Sequence, residues 1–184
     1  MKECWLALIF VSANQAAVIA PASVAQKQVV SVRLRYKSKL SAGLELPVAQ
    51  SYPQFFTSNQ QGFGPIAALN QDFSVNTADN PVVDGTVLQM FGTDFGLYDD
   101  SCLEDELAPS DRLLSTQATF DITFGGQTQQ LAFRGAAPGQ VCALGQANVV
   151  VNSGALAGTG TTEAPVSAEG FKETETTVWV APAP

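Results

Sequence analysis

The sequence contains no histidine, and only 14% of its residues are charged. Without histidine there is no Ser-His-Asp triad and no imidazole ligand for a metal. Lysines and arginines number nine, and no lysine sits where a neighbour could turn it into a base. Cysteine occurs three times, at Cys4, Cys102 and Cys142, with no C-x-x-C spacing, which excludes a thiolate zinc site and a dithiol redox motif. No apolar run approaches the roughly 20 residues of a transmembrane helix. Long amphipathic stretches rich in Glu, Lys and Leu are absent too, so a helical bundle is not expected.

What is present is apolar and polar-uncharged material. Hydrophobic residues make up 46% of 184, enough for a core and too many for a disordered chain. The net charge of −8 is unevenly placed. Residues 1–50 carry six basic and two acidic side chains, giving +4, while the remaining residues carry three basic and fifteen acidic, giving −12. That acidic bulk repels phosphate and excludes nucleic acid as a partner. A basic end facing an acidic end suits contact between neighbouring molecules. Cys102 and Cys142 lie in stretches rich in Gly, Pro and Asp, which suits a disulfide between loops in an oxidising, extracellular setting, with Cys4 left over.

Nearly every periodic segment alternates with a period of two. Val30–Tyr36 places Val, Leu and Tyr on one face and Ser and Arg on the other, and 118–124, 127–134 and 86–91 follow the same rule. Gly125-Gly126 reads as a two-residue hairpin turn, because such turns need positive φ. Asn80-Pro81 and Asp84-Gly85 are turn dipeptides leading into the strand at 86–91. Short strands at close spacing with turns between them predict an all-β, antiparallel β-sandwich. Leu103–Leu107 is the one helical candidate, a single turn in an acidic loop.

The first 25 residues admit two readings. Lys2, the apolar stretch from Trp5 to Val11 and the small-x-small pattern Ser23-Val24-Ala25 fit a cleaved secretory signal. Alternatively Ala7–Val11 and Ala16–Ala20 are strands joined by Ser12-Ala13-Asn14-Gln15. An internal comparison favours strands. Gln15-Ala16-Ala17-Val18-Ile19-Ala20 matches Gln146-Ala147-Asn148-Val149-Val150-Val151, and LALIFVSAN before the one parallels QLAFRGAAPG before the other. Residues 1–50 therefore read as the back half of one repeat and 51–184 as a complete repeat.

The stretch Gln71-Asp72, Ser74-Val75-Asn76, Asn80-Pro81, Gly85-Thr86-Val87, Phe91-Gly92-Thr93 and Gly96 resembles a bacterial Ig-like repeat. Gly135-Ala136-Ala137-Pro138-Gly139 followed by Gln146-Ala147-Asn148-Val149 resembles it as well. The repeat is known as a paralogous C-terminal domain of large secreted acidobacterial proteins. The resemblance implies an extracellular Ig-like β-sandwich with an N-terminal partial repeat, and it carries no established chemistry. The acidic loop at 98–111 and the Gly/Thr-rich insert at 154–170 depart from the pattern.

Three groups of residues are chemical candidates. Asp99, Asp100, Glu104 and Asp105, with Glu106 and Asp111, could hold Ca²⁺, although they lack the spacing of known calcium loops and read more simply as a solvated acidic loop. Asp72 and Asp94 could form a carboxylate pair for glycoside hydrolysis, yet each reads better as a turn residue bonding its own backbone. Tyr52, Phe55, Phe56, Phe63 and Phe73 could line a groove for a surface glycan or peptide, and core packing is the simpler expectation. A non-enzymatic role without a cofactor fits better. If the product begins at Met1, the partial repeat must dock, and Val29, Val30, Val32, Leu34 and Tyr36 are the expected interface. Head-to-tail strand addition between copies would then build a homopolymer. An adhesive or carbohydrate-binding module of a larger surface protein is the alternative.

Overall fold

A computed structural model describes residues 4–99, 102, 106–152, 154, 163–168 and 176–181. Its elements are almost all strands, as the period-two patterning predicts. They are β1 (Ala7–Val11), β2 (Ala16–Ile19), β3 (Val29–Val32), β4 (Arg35–Tyr36), β5 (Lys39–Leu40), β6 (Leu44–Pro47), β7 (Gln54–Phe55), β8 (Gly64–Pro65) and β9 (Ala68–Leu69). After them come β10 (Val87–Thr93), β11 (Ile122–Phe124), β12 (Gln127–Thr128), β13 (Gln130–Ala136), β14 (Gly145–Val150), β15 (Glu163–Ala168) and β16 (Thr176–Trp179). One short 3-10 turn, Ala22–Val24, follows β2.

Two five-stranded sheets form the body. In the first the order is β13-β14-β10-β7, with β9 also on β10; in the second it is β12-β11-β15-β16-β8. All pairs are antiparallel except β16 with β8. Alternation places Leu88 and Met90 of β10, and Ala147 and Val149 of β14, on a face with no solvent exposure. Ile122 and Phe124 of β11 and Val178 of β16 meet them from the second sheet, in one core that runs from Phe55 to Val180. Each large apolar side chain removed from water there contributes roughly 1.5–3 kcal/mol. Phe95 stacks edge-to-face on Phe55 and Phe120 at centroid distances of 5.9 and 5.2 Å. Gly145 lets the Phe95 ring approach, since a Cβ there would stand 2.5 Å from it.

The turn chemistry is as the sequence predicts. Gly125 and Gly126 have φ of 57° and 82° and join β11 to β12, with Phe124 opposite Gln127. Gly85 has φ of 75° in the turn that enters β10, and Thr86 closes that turn through its hydroxyl to the Val83 carbonyl at 2.6 Å. Asp72 accepts from the Ser74 amide and hydroxyl at 3.0 and 2.5 Å, which makes a local Asx turn.

Three strand expectations need correction. The segment 127–134 is not one strand: β12 belongs to the second sheet and β13 to the first. At the crossing, the buried Gln129 side chain donates to the Gln127 carbonyl and accepts from the Asn152 amide, so a side chain replaces ladder bonds. The segment 118–124 is strand only over Ile122–Phe124. Residues before it instead cap the edge of β13, with Ser115 opposite Gly135 and the Thr116 amide donating to Arg134. The stretch Val30–Tyr36 is broken as well, for a reason given below. The helical turn expected at Leu103–Leu107 falls largely outside the described residues, and Leu107 itself bridges Val141.

The polar residues of 70–80 build a buried latch. Asn76 is buried, and its side-chain amide accepts from the Trp179 N–H at 2.9 Å and donates to the Trp179 carbonyl at 2.7 Å. It also donates to Asn70 Oδ1 at 3.1 Å. Asn70 in turn donates to the Asn80 carbonyl at 3.0 Å. One primary amide thus stands in for a strand along that part of β16, because it offers the same donor and acceptor as a backbone peptide.

Candidate interaction surface in the N-terminal segment

Among the described residues, none of the main core side chains comes from the first 50. That segment folds instead into two ribbons of its own. β1 and β2 form a hairpin, and β3 to β6 form a second, longer one. In the second, Val29 lies opposite Pro47 and Val32 opposite Leu44, whereas Arg35 lies opposite Leu40 and Tyr36 opposite Lys39. The register therefore slips by one residue around Ser41–Gly43. A one-residue bulge breaks the alternation expected across Val30–Tyr36, and the Ser41 hydroxyl takes the Leu34 amide at 2.9 Å. Arg35 of this ribbon lies over the Trp5 ring beside the first hairpin, 5.3 Å from its centroid.

These ribbons leave apolar side chains in water. Trp5, Leu8, Ile9, Phe10, Val11 and Val18 are exposed on the first hairpin. On the second, Val29, Leu34, Tyr36, Leu44 and Leu46 are exposed, while Val30 and Val32 are half-buried. Exposed apolar patches are the kind of surface that meets a partner. The outer edges of β2, β3 and β6 pair with no strand among the described residues, and open edges recruit strands.

The remaining candidates come out less favourably. Cys102 and Cys142 form a disulfide with Cα atoms 5.7 Å apart, and Cys4 is free. The bridge pins the acidic loop to the loop before β14, where the Cys142 amide also donates to the Glu106 carbonyl at 3.0 Å. Ala108, Leu114, Ala136 and Tyr98 pack around it as a second small core. The bond fits an oxidising compartment. Asp99 and Asp111 are exposed, whereas Asp100, Glu104 and Asp105 lie outside the described residues. No group of three ligating side chains that could hold a metal occurs among the described residues.

Asp72 and Asp94 flank opposite ends of β10: Gln71 caps Val87 at its start through a 3.1 Å bond, and Asp94 follows Thr93 at its end. A seven-residue strand separates them by about 20 Å, too far to face one glycosidic bond. Ser74's hydroxyl and amide hold the Asp72 carboxyl below its usual range. Desolvation pushes the Asp94 carboxyl up, against a smaller opposing hydrogen bond from Thr93. Desolvation and the Asp94 charge push Tyr98 up to about 12.

Of the five aromatics expected in the core, only Phe55 is there; Tyr52, Phe56, Phe63 and Phe73 are exposed. Phe73 sits at φ of 65° at a turn tip, where its ring cannot reach the body. A shallow hollow lies beside Phe55, Phe56 and Gln60 and another beside Asn70, Asp72 and Asn80, and no cluster of titratable groups lines either one. No helix among the described residues is long and apolar enough to cross a membrane. No family model matches the chain, and no curated protein and no solved structure does either.

Proposed function

We propose that the protein is a non-enzymatic extracellular structural protein with an Ig-like body. On this reading its N-terminal segment joins copies head to tail by β-strand addition, giving a surface polymer. One observation carries the reading: the two ribbons of residues 7–47 stay outside the main core, with apolar faces bare and strand edges open. Strand addition satisfies both needs at once, because it pairs the free backbone groups and covers the side chains beside them. The split between a basic N-terminal segment and an acidic remainder, +4 against −12, favours contact between unlike ends. A contact between two different surfaces that does not close on itself yields a filament. The disulfide supports an extracellular location.

The test is sedimentation and electron microscopy of the purified chain with and without residues 1–28. The intact chain assembles, and the shortened chain sediments as a monomer. Polymers that persist after the deletion refute the reading.

A further inference from the structure

The hairpin β1–β2 repeats the register of the hairpin β13–β14. In the first, Ala7, Leu8, Phe10 and Val11 lie opposite Ile19, Val18, Ala17 and Ala16. In the second, Gln130, Leu131, Phe133 and Arg134 lie opposite Val150, Val149, Asn148 and Ala147. Both registers shift at the same step, so Ile9 and Ala132 are equivalent bulge residues. Beyond the bulge, the Ser12 amide donates to the Gln15 carbonyl at 2.7 Å, where Gly135 faces Gln146 in the other hairpin. Leu8, Phe10, Gln15, Ala16 and Val18 have identical counterparts in Leu131, Phe133, Gln146, Ala147 and Val149. A bulge fixes twist and register, so two hairpins that share one present the same edge geometry.

The body shows what pairs with that edge. β10 runs antiparallel along the outer edge of β14, with Leu88 opposite Val149 and Met90 opposite Ala147. There Val149, covered on its face by the second sheet as well, is 0% exposed, while its counterpart Val18 is 44% exposed. The outer edge of β2 is therefore a vacant β10 position. Its occupant needs an open edge of its own and apolar residues two apart. β10 itself does not qualify, since β14 holds one edge and β7 and β9 hold the other. β6 does: Leu44-Glu45-Leu46 repeats the apolar-polar-apolar order of Leu88-Gln89-Met90. Its leucines are exposed and its outer edge pairs with no strand among the described residues. Pro47 is tolerated there because a proline ends pairing only at its own position on an edge strand.

We propose that β6 of a second copy fills this position, antiparallel to β2, with Leu44 opposite Val18 and Leu46 opposite Ala16. The contact joins two different edges of one segment, so each copy can receive a strand and give one, and the charge split between that segment and the remainder plays no part in it. The assignment rests on the reading that the N-terminal segment joins copies, and it names the strand and the register.

Cross-linking tests it. Every protein carries Cys4→Ser, and Val18→Cys and Leu44→Cys are made in separate chains, both at exposed positions outside the core. Mixed under mild oxidation, the two form a heterodimer. The off-register mixture of Val18→Cys with Leu46→Cys gives at least tenfold less, because its Cα atoms are then about 7–8 Å apart, beyond the reach of a disulfide. Mixing Ala16→Cys with Leu46→Cys restores the yield. Equal yields in and out of register overturn the assignment, as do a dominant Val18→Cys homodimer, an intrachain link in the doubly substituted protein, or no link at all. If the deletion of residues 1–28 abolishes assembly while the register pair fails, the assembly reading stands and only this assignment falls.

Discussion

Replacing Asn76 with alanine removes an amide that three groups depend on. The Trp179 N–H loses its acceptor at 2.9 Å, the Trp179 carbonyl its donor at 2.7 Å and Asn70 Oδ1 its donor at 3.1 Å. Each polar group left unpaired in a buried place costs about 1–3 kcal/mol. The Asn70 bonds to the Asn80 carbonyl and the Ser74 hydroxyl run through its Nδ2 and persist, but they do not replace the donor that its Oδ1 loses. The expected loss is therefore about 3–5 kcal/mol, a large part of the 5–15 kcal/mol or so that holds a typical domain. Urea unfolding followed by circular dichroism reads it directly. At a slope of about 2.5 kcal/mol per molar, the midpoint falls by roughly 1.5 M. Asn76→Asp sharpens the experiment, because a carboxylate still accepts from the Trp179 N–H but has no proton for the carbonyl or for Asn70. That variant is as unstable as the alanine one at neutral pH, and it recovers part of the deficit in acid, where the carboxyl regains a donor. A loss below about 1 kcal/mol in the alanine variant, or an aspartate variant insensitive to pH, refutes the role given to this amide.

Other expectations follow from the same body. Replacing both Cys102 and Cys142 with serine opens a loop of sequence separation 40; chain entropy sets the loss at about 4 kcal/mol, and calorimetry that finds no fall in melting temperature contradicts it. Gly145→Ala drives a Cβ to 2.5 Å from the Phe95 ring and costs about 1–3 kcal/mol, with the altered Phe95 environment visible by NMR. The Asp94 carboxyl has a pKa raised in the folded state, so its contribution favours folding in acid and is lost as pH rises through that value. Asp94→Asn therefore raises the melting temperature modestly at neutral pH and not at acid pH; it also suits the local φ of 63°, which asparagine tolerates. A variant less stable than the parent at neutral pH would show that desolvation is not the dominant influence on this carboxyl.

Much of the architecture is legible in the sequence because turns announce themselves locally. Gly125-Gly126, Asp84-Gly85 and Asp72 needed only their own residue types to be placed, and the disulfide followed from two cysteines in turn-rich stretches. Alternation located β10, which is covered on one face throughout, and the match of Gln146-Ala147 to Gln15-Ala16 located β14. Alternation failed at Gln129 and around Ser41–Gly43, where a side chain replaces a backbone partner or an extra residue enters the ladder. Neither event alters the composition of the segment, so periodicity carries no trace of it. Phe73 escapes the pattern for a related reason: at a turn tip with φ of 65° it looks like a strand residue until φ is known. The N-terminal surface is a middle case, since the match of Gln15-Ala16 to Gln146-Ala147 was readable, while the shared bulge and the vacant edge needed coordinates.

The last described strand closes the body from the far end of the chain. Ile66 and Val82 donate their amides to the carbonyls of Thr177 and Trp179, Ala181 donates to Val82, and Asn76 reaches Trp179 across 103 positions. A growing polypeptide therefore leaves Ile66, Asn76 and Val82 without these partners until residues beyond 176 have left the ribosome. Such distant pairing makes folding slow and leaves strand edges bare in the interim. Nascent chains stalled short of Val180 should accordingly be digested readily by protease, and resistance should arrive in one step once that strand is free to dock.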